Sequence, residues 1–216
     1  MKLKVCGMNL NTLEVSTLHP DYLGFIFWEP SKRFFEGKLP ELPPSIKKVG
    51  VFVDAPIEDV LEKIETYGLD AIQLHGKESA AYCSLLKELN KERIQSLGVT
   101  SLKIIKVFSI KDDFDFSILT HYEEVCDYYL FDTKGKLPGG NGYTFSWEVL
   151  ENYPSTKPYF LSGGIGLEEM EKIKEFQLRP ESKYCHAIDV NSKFELEPGL
   201  KDIDKLKEFK EVLRNE

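Results

Sequence analysis

Eight short strand-like runs alternate with helix-period segments along 216 residues. Several of those runs are continuously apolar rather than alternating. Together the two observations predict an α/β fold whose parallel sheet is covered by helices and closes into a single (β/α)8 TIM barrel over residues 1–216. An open doubly wound sheet is the runner-up, but no GxGxxG follows the first run to favour it.

The strand-like runs are residues 3–6, 22–28 (YLGFIFW), 48–53 (KVGVFV), 70–75 (DAIQLH), 103–108 (KIIKVF), 128–132, 158–162 (PYFLS) and 185–190 (CHAIDV). Between them, residues 56–67 form the clearest helix. Pro56 sits at its first turn, acids follow, Ile57, Val60, Leu61 and Ile64 make one apolar stripe, and Gly68 stops it. Residues 78–89, 166–176 and 201–213 repeat the pattern. The Pro-rich stretch 37–46 and the linker 90–102 carry weak signals, so a helix after the second strand is expected to be short or irregular. Thr144 is placed to cap a helix that starts near Trp147.

Composition narrows the function classes. Net charge is -8 with no basic cluster, which leaves no electrostatic footprint for nucleic acid. No apolar run reaches the length of a membrane span, and the N-terminus enters a strand-like segment with no apolar signal region before it. The four cysteines, Cys6, Cys83, Cys126 and Cys185, are widely spaced with no CxxC pair. That spacing argues against zinc or a redox motif and for free thiols in a reducing cytoplasm. Nothing in the pattern decides between a monomer and a homodimer.

In a barrel of this kind the reactive groups lie at the C-terminal ends of the strands. Strand alternation puts Lys4 and Cys6 on one face with Leu3 and Val5 on the other. If the apolar pair packs under helices, Cys6 turns to the mouth. The same logic sets Gln73 and His75 opposite Ile72 and Leu74, Leu130 and Asp132 opposite Tyr129 and Phe131, and Ala187 and Asp189 opposite Ile188 and Val190. Cys6, His75, Asp132 and Asp189 therefore converge on one rim. Read singly, each stays open: Cys6 is a base or a small buried hydrophobe, His75 a site residue or a loop anchor, Asp189 a substrate contact or a loop orienter. Cys83, Cys126 and Cys185 do not end strands and read as core. LSGGIG at 161–166 and the loop 191–202 follow the last two strands, where barrels of this class often bind phosphate. Arg33 could hold a carboxylate by a two-pronged contact, or be a solvated surface cation.

Ordered blocks then become recognisable: KVCGMN at 4–9, GFIFWEPSKRF at 24–34, VGVFVDAP at 49–56, LDAIQLHGKES at 69–79, FDTKGKLPGGNGYTFSW at 131–147, LSGGI at 161–165 and DVNSKFELEPGLKD at 189–202. The set, spread over nearly the whole chain, resembles the phosphoribosylanthranilate isomerase family of tryptophan biosynthesis. That resemblance implies a cofactor-free barrel acting on a phosphorylated small molecule. It would convert N-(5-phosphoribosyl)anthranilate to 1-(2-carboxyphenylamino)-1-deoxyribulose 5-phosphate by an Amadori rearrangement. It matches Cys6 to the general base and Asp132 to the general acid. Arg33 matches the group that holds the anthranilate carboxylate, and His75 and Asp189 match further active-site positions. Gly163, Gly164, Asn191 and Ser192 fall in the phosphate-binding loops, and Gln73 shares the substrate-facing side of its strand with His75.

Two departures stand out. The chain has GGNG and Ser146 where a GGTG-like turn and Asp are usual, and Asn191, Ser192 and Lys193 where Ser-Ser-Gly is usual. A positive φ at Lys193 would be costly. A thiol acts as a base only as thiolate, and Lys4, two residues away on the same face, would favour that form. The alternatives are a related phosphosugar barrel such as indole-glycerol-phosphate synthase and a barrel that binds a phosphorylated ligand without turnover. The first relies on Lys and Glu at strand ends, where this chain has Cys, Asp and His. Intact Cys6 and Asp132 weigh against the second.

Overall fold

Eight parallel strands close on themselves in sequence order, with β8 returning to β1, in a computed structural model that describes residues 1–97, 101–111, 113–133 and 145–214. The strands are β1 (Lys2–Val5), β2 (Tyr22–Ile26), β3 (Lys47–Phe52), β4 (Ala71–Leu74), β5 (Lys103–Ile110), β6 (Tyr128–Thr133), β7 (Tyr159–Leu161) and β8 (Cys185–Val190). A two-stranded antiparallel hairpin, β9 (Glu195–Glu197) and β10 (Leu200–Lys201), follows β8. The closed barrel settles the choice against an open sheet. Among the described residues, no helix is long and apolar enough to cross a membrane.

Strand alternation sorts the apolar residues into two layers. Tyr22, Val49, Ala71, Ile105, Val107, Leu130, Phe160 and Ala187 fill the barrel interior. Leu3, Val5, Ile72, Leu74, Tyr129, Phe131, Ile188 and Val190 face outward into a second core shared with the helices. The continuous apolar runs follow from this: both strand faces are buried, so both are mainly apolar. Near the mouth the inward positions turn polar, with Lys4, Gln73, Asp132 and Asp189 all buried.

The outer layer is less regular than the sequence suggests. Helices α1 (Thr12–Ser16), α2 (Ile57–Tyr67), α3 (Ala80–Leu97), α4 (Met170–Gln177) and α5 (Ile203–Arg214) cover part of it. Helix α2 matches expectation, with Pro56 before its first turn and Gly68 closing it in the left-handed conformation at φ 57. The segment expected over 78–89 continues to Leu97, because no Pro or Gly interrupts it. No helix fills 27–46, where prolines break the chain. An aromatic cluster of Phe25, Phe27, Phe35, Phe52 and Tyr67 covers that flank instead. Among the described residues, the connections after β5 and β6 form only short 3-10 helices, Phe116–His121 and Trp147–Asn152. Thr144, the expected cap, lies outside the described residues, and Ser146 flanks the second of these turns. The expected helix 201–213 begins two residues later, since Lys201 belongs to β10.

Candidate active site

The strand ends deliver their inward side chains to one cleft. Cys6 follows β1, Gln73 lies in β4 and His75 just after it, Asp132 near the end of β6, and Asp189 in β8. All five line the cleft, as do Gly163 and Gly164 after β7 and Asn191, Ser192 and Lys193 after β8. Of the residues that the family resemblance matches to the site, Arg33 alone does not line it. Cys83, Cys126 and Cys185 are buried away from the mouth as free thiols. Among the described residues, no cluster of three or more His, Cys, Asp or Glu could hold a metal ion.

Asp189 lines the cleft and pairs with the fully buried Lys4. Their Nζ and Oδ2 are 2.7 Å apart, and both side chains are almost wholly shielded. Burial disfavours the Lys4 cation, but Asp189 and the neighbouring Cys6 more than offset this and raise its pKa. Burial likewise pushes the Asp189 carboxyl up, against the pull of Lys4. Cys6 is pushed up by burial too, while Lys4 and Lys201 draw it down and Asp189 opposes them. Gly24 lets the thiol and the amine fit: a Cβ there would lie 2.9 Å from Cys6 Sγ and 3.3 Å from Lys4 Nζ. Asp189 Oδ1 and Gln73 Oε1 are buried and accept no hydrogen bond among the described residues. Such acceptors normally meet a donor, and both residues line the cleft.

A second chain of contacts crosses the mouth. Gln73 Nε2 is 3.1 Å from His75 Nδ1, and His75 Nε2 is 3.2 Å from Asp132 Oδ2. An amide nitrogen only donates, so Nδ1 accepts. With Nδ1 accepting, Nε2 is the ring nitrogen that carries a proton towards Asp132. Gln73 thus sets the tautomer that orients the acid.

At the far end, Gly163 and Gly164 turn the chain after β7 with φ of 95° and 68°. Lys193 sits in a 3-10 turn over Ser192–Phe194. Among the described residues only His19 and Asp54 combine a side chain with positive φ. The replacement of glycine at 193 therefore costs no backbone strain. It brings a cation, paired with Glu168, to the end of the cleft expected to hold phosphate.

Arg33 stands at the edge of this site. Its Cδ and the Asn191 Oδ1 both crowd Gly7, which has φ 71 and where a Cβ would lie 2.7 and 2.6 Å from them. Two charged residues that sequence reasoning passed over, Glu195 and Lys201, hold the arginine and Asn191 in place.

A family model described as N-(5'phosphoribosyl)anthranilate (PRA) isomerase matches residues 3–212. The chain belongs to this isomerase family. A family member from Parabacteroides distasonis is 44% identical, over 97% of this chain and 91% of that one. The crystal structure of phosphoribosyl anthranilate isomerase from Thermotoga maritima superposes with a TM-score of 0.80 at 29% identity, with both chains covered completely. A solved family member in complex with reduced 1-(o-carboxyphenylamino)-1-deoxyribulose 5-phosphate has a TM-score of 0.73 at 26% identity, covering 97% of this chain and 96% of that one.

Proposed function

We propose that this protein isomerises N-(5'-phosphoribosyl)anthranilate to 1-(2-carboxyphenylamino)-1-deoxyribulose 5-phosphate. Asp132 acts as general acid and Cys6 as general base. The observation that carries the assignment is that a thiol and a carboxyl from well-separated strands, β1 and β6, open onto one cleft. Gly163, Gly164, Asn191 and Ser192 bind the phosphate at one end, and Arg33 meets the anthranilate carboxylate at the edge.

The chemistry needs two proton transfers at different atoms. Asp132 protonates the furanose ring oxygen as the anthranilate nitrogen forms the C=N bond, which opens the ring to a Schiff base. The Cys6 thiolate then removes the C2 proton, and the enolamine tautomerises to the ketone. His75 Nε2 orients Asp132 for the first transfer. Lys4 and Lys201 favour the thiolate in the second, partly offsetting the burial that opposes it. Asp189 Oδ1 and Gln73 Oε1 accept hydrogen bonds from the sugar hydroxyls.

Fluorescence tests the proposal. Adding the protein to N-(5'-phosphoribosyl)anthranilate should make the substrate's anthranilate emission decay with no metal or nucleotide supplied. A stable signal at micromolar protein would overturn it.

A further inference from the structure

Glu195 and Lys201 face each other across the β9–β10 hairpin, in register. Their side chains are 4% and 0% exposed, while Leu196 between the hairpin's charged positions is 69% exposed. A hairpin selected for stability would do the reverse, since burying a charged pair costs desolvation that an apolar pair avoids. The inversion points to a task for the charges.

Their contacts identify it. Glu195 grips Arg33 along one edge of the guanidinium: both carboxylate oxygens lie 2.9 Å from Nε, and Oε2 lies 2.6 Å from Nη2. Nη1 makes no hydrogen bond to any described residue, so the Nη1–Nη2 edge, itself a carboxylate-shaped fork, stays open. Glu195 Oε1 also accepts from Lys201 Nζ at 2.7 Å. The same Nζ donates to Asn191 Oδ1 at 2.8 Å. Asn11 clasps the Lys201 backbone from the β1 side through two bonds of 2.9 Å.

We propose that Glu195 and Lys201 are positioning residues, acting through Arg33 and Asn191 to hold the carboxylate end and the phosphate end of the substrate site in one fixed register. This rests on the functional reading above, which gives Arg33 the anthranilate carboxylate and Asn191 the phosphate. Glu195 presents the free edge of Arg33, and Lys201 fixes the Asn191 amide. Ligand chemistry then separates the two residues. Glu195 matters to a ligand with an aryl carboxylate, and Lys201 to any phosphorylated ligand.

The test is a double-mutant cycle read with two probes: the reduced product analogue bearing the ortho-carboxylate, and its counterpart without the carboxylate. Glu195→Gln should raise KM and weaken the carboxylated probe about tenfold, the scale of one charge-assisted hydrogen bond, and leave the other probe within about twofold. In an Arg33→Met background Glu195→Gln should cost nothing further. Lys201→Met should weaken both probes. If Glu195→Gln fails to fold, as judged by thermal melting, Glu195→Asp, which keeps the charge and withdraws it by one methylene, should give the same pattern. Equal weakening of both probes by the Glu195 variant, or a full additional loss in the Arg33→Met background, would overturn the proposal. Wild-type protein that binds the probes but turns over no substrate would instead count against the functional reading alone.

Discussion

The two ends of the barrel are built from the same inward strand positions yet differ in kind. At the mouth, Gln73, His75, Asp132 and Asp189 bond to one another or to Lys4, and two buried acceptors remain unmet. At the floor, Tyr22, Tyr128, Phe160 and His186 form a ring cluster, with Tyr22 Oη bonded to His186 Nε2 at 2.8 Å. The floor is apolar and internally satisfied, and the mouth is polar and left incomplete. A barrel can separate stability from chemistry along its own axis.

If that separation is real, mouth substitutions change turnover and leave melting almost untouched. Cys6→Ala and Asp132→Asn should each lower kcat by roughly 10²–10⁴-fold, the range for a positioned acid or base. Steady-state kinetics beside a thermal melt checks this, and near-normal turnover in either variant breaks the comparison.

Floor substitutions should do the opposite. Phe160 is fully buried, and Phe160→Ala should remove about 3–5 kcal/mol of stability by denaturant titration. Its kcat per folded molecule should stay unchanged.

Lys4→Met sharpens the picture at the mouth. Burial holds the Cys6 thiol above the ordinary thiol range while Lys4 draws it down. Activity should therefore rise with pH as the thiolate forms, and without the cation that limb should move further alkaline. An unmoved limb would mean that Lys4 serves only Asp189.

The smallest effect is at the floor. Burial lowers His186 to about 4, whereas an imidazole in the unfolded chain takes up a proton near pH 6.5. Between those values the unfolded state binds more protons, so stability present above pH 6.5 is lost as pH falls towards 4. His186→Gln should flatten the unfolding free energy over that window.

The strands and the shared rim were legible because the pleat is rigid: two-residue alternation carries Cys6, Asp132 and Asp189 to one side whatever the loops do. Helix α2 was legible through Pro56 and Gly68. Helix α3 was read short because residues past Leu89 are largely polar and suit a solvated helix face as well as a linker. The hairpin at 195–201 was hidden for a different reason. ELEPGLK reads as a charged surface turn, and nothing local shows that Glu195 turns inward to meet an arginine 162 positions earlier. Long-range charge pairing leaves no period in a sequence. Arg33 stayed open between a carboxylate contact and a solvated cation until its family block was recognised, since the segment that carries it has no regular structure of its own.

Closure of β8 onto β1 has a consequence for how this protein is made. Lys4 finds its counter-charge in Asp189, 185 residues downstream. Contacts of that span are costly to close and come late. On the ribosome, a chain halted before its eighth strand has synthesised its thiol, its acid and most of its core, but lacks the anion that anchors the amine beside the sulfur. Competence for the reaction is thus acquired only once the eighth strand has been made.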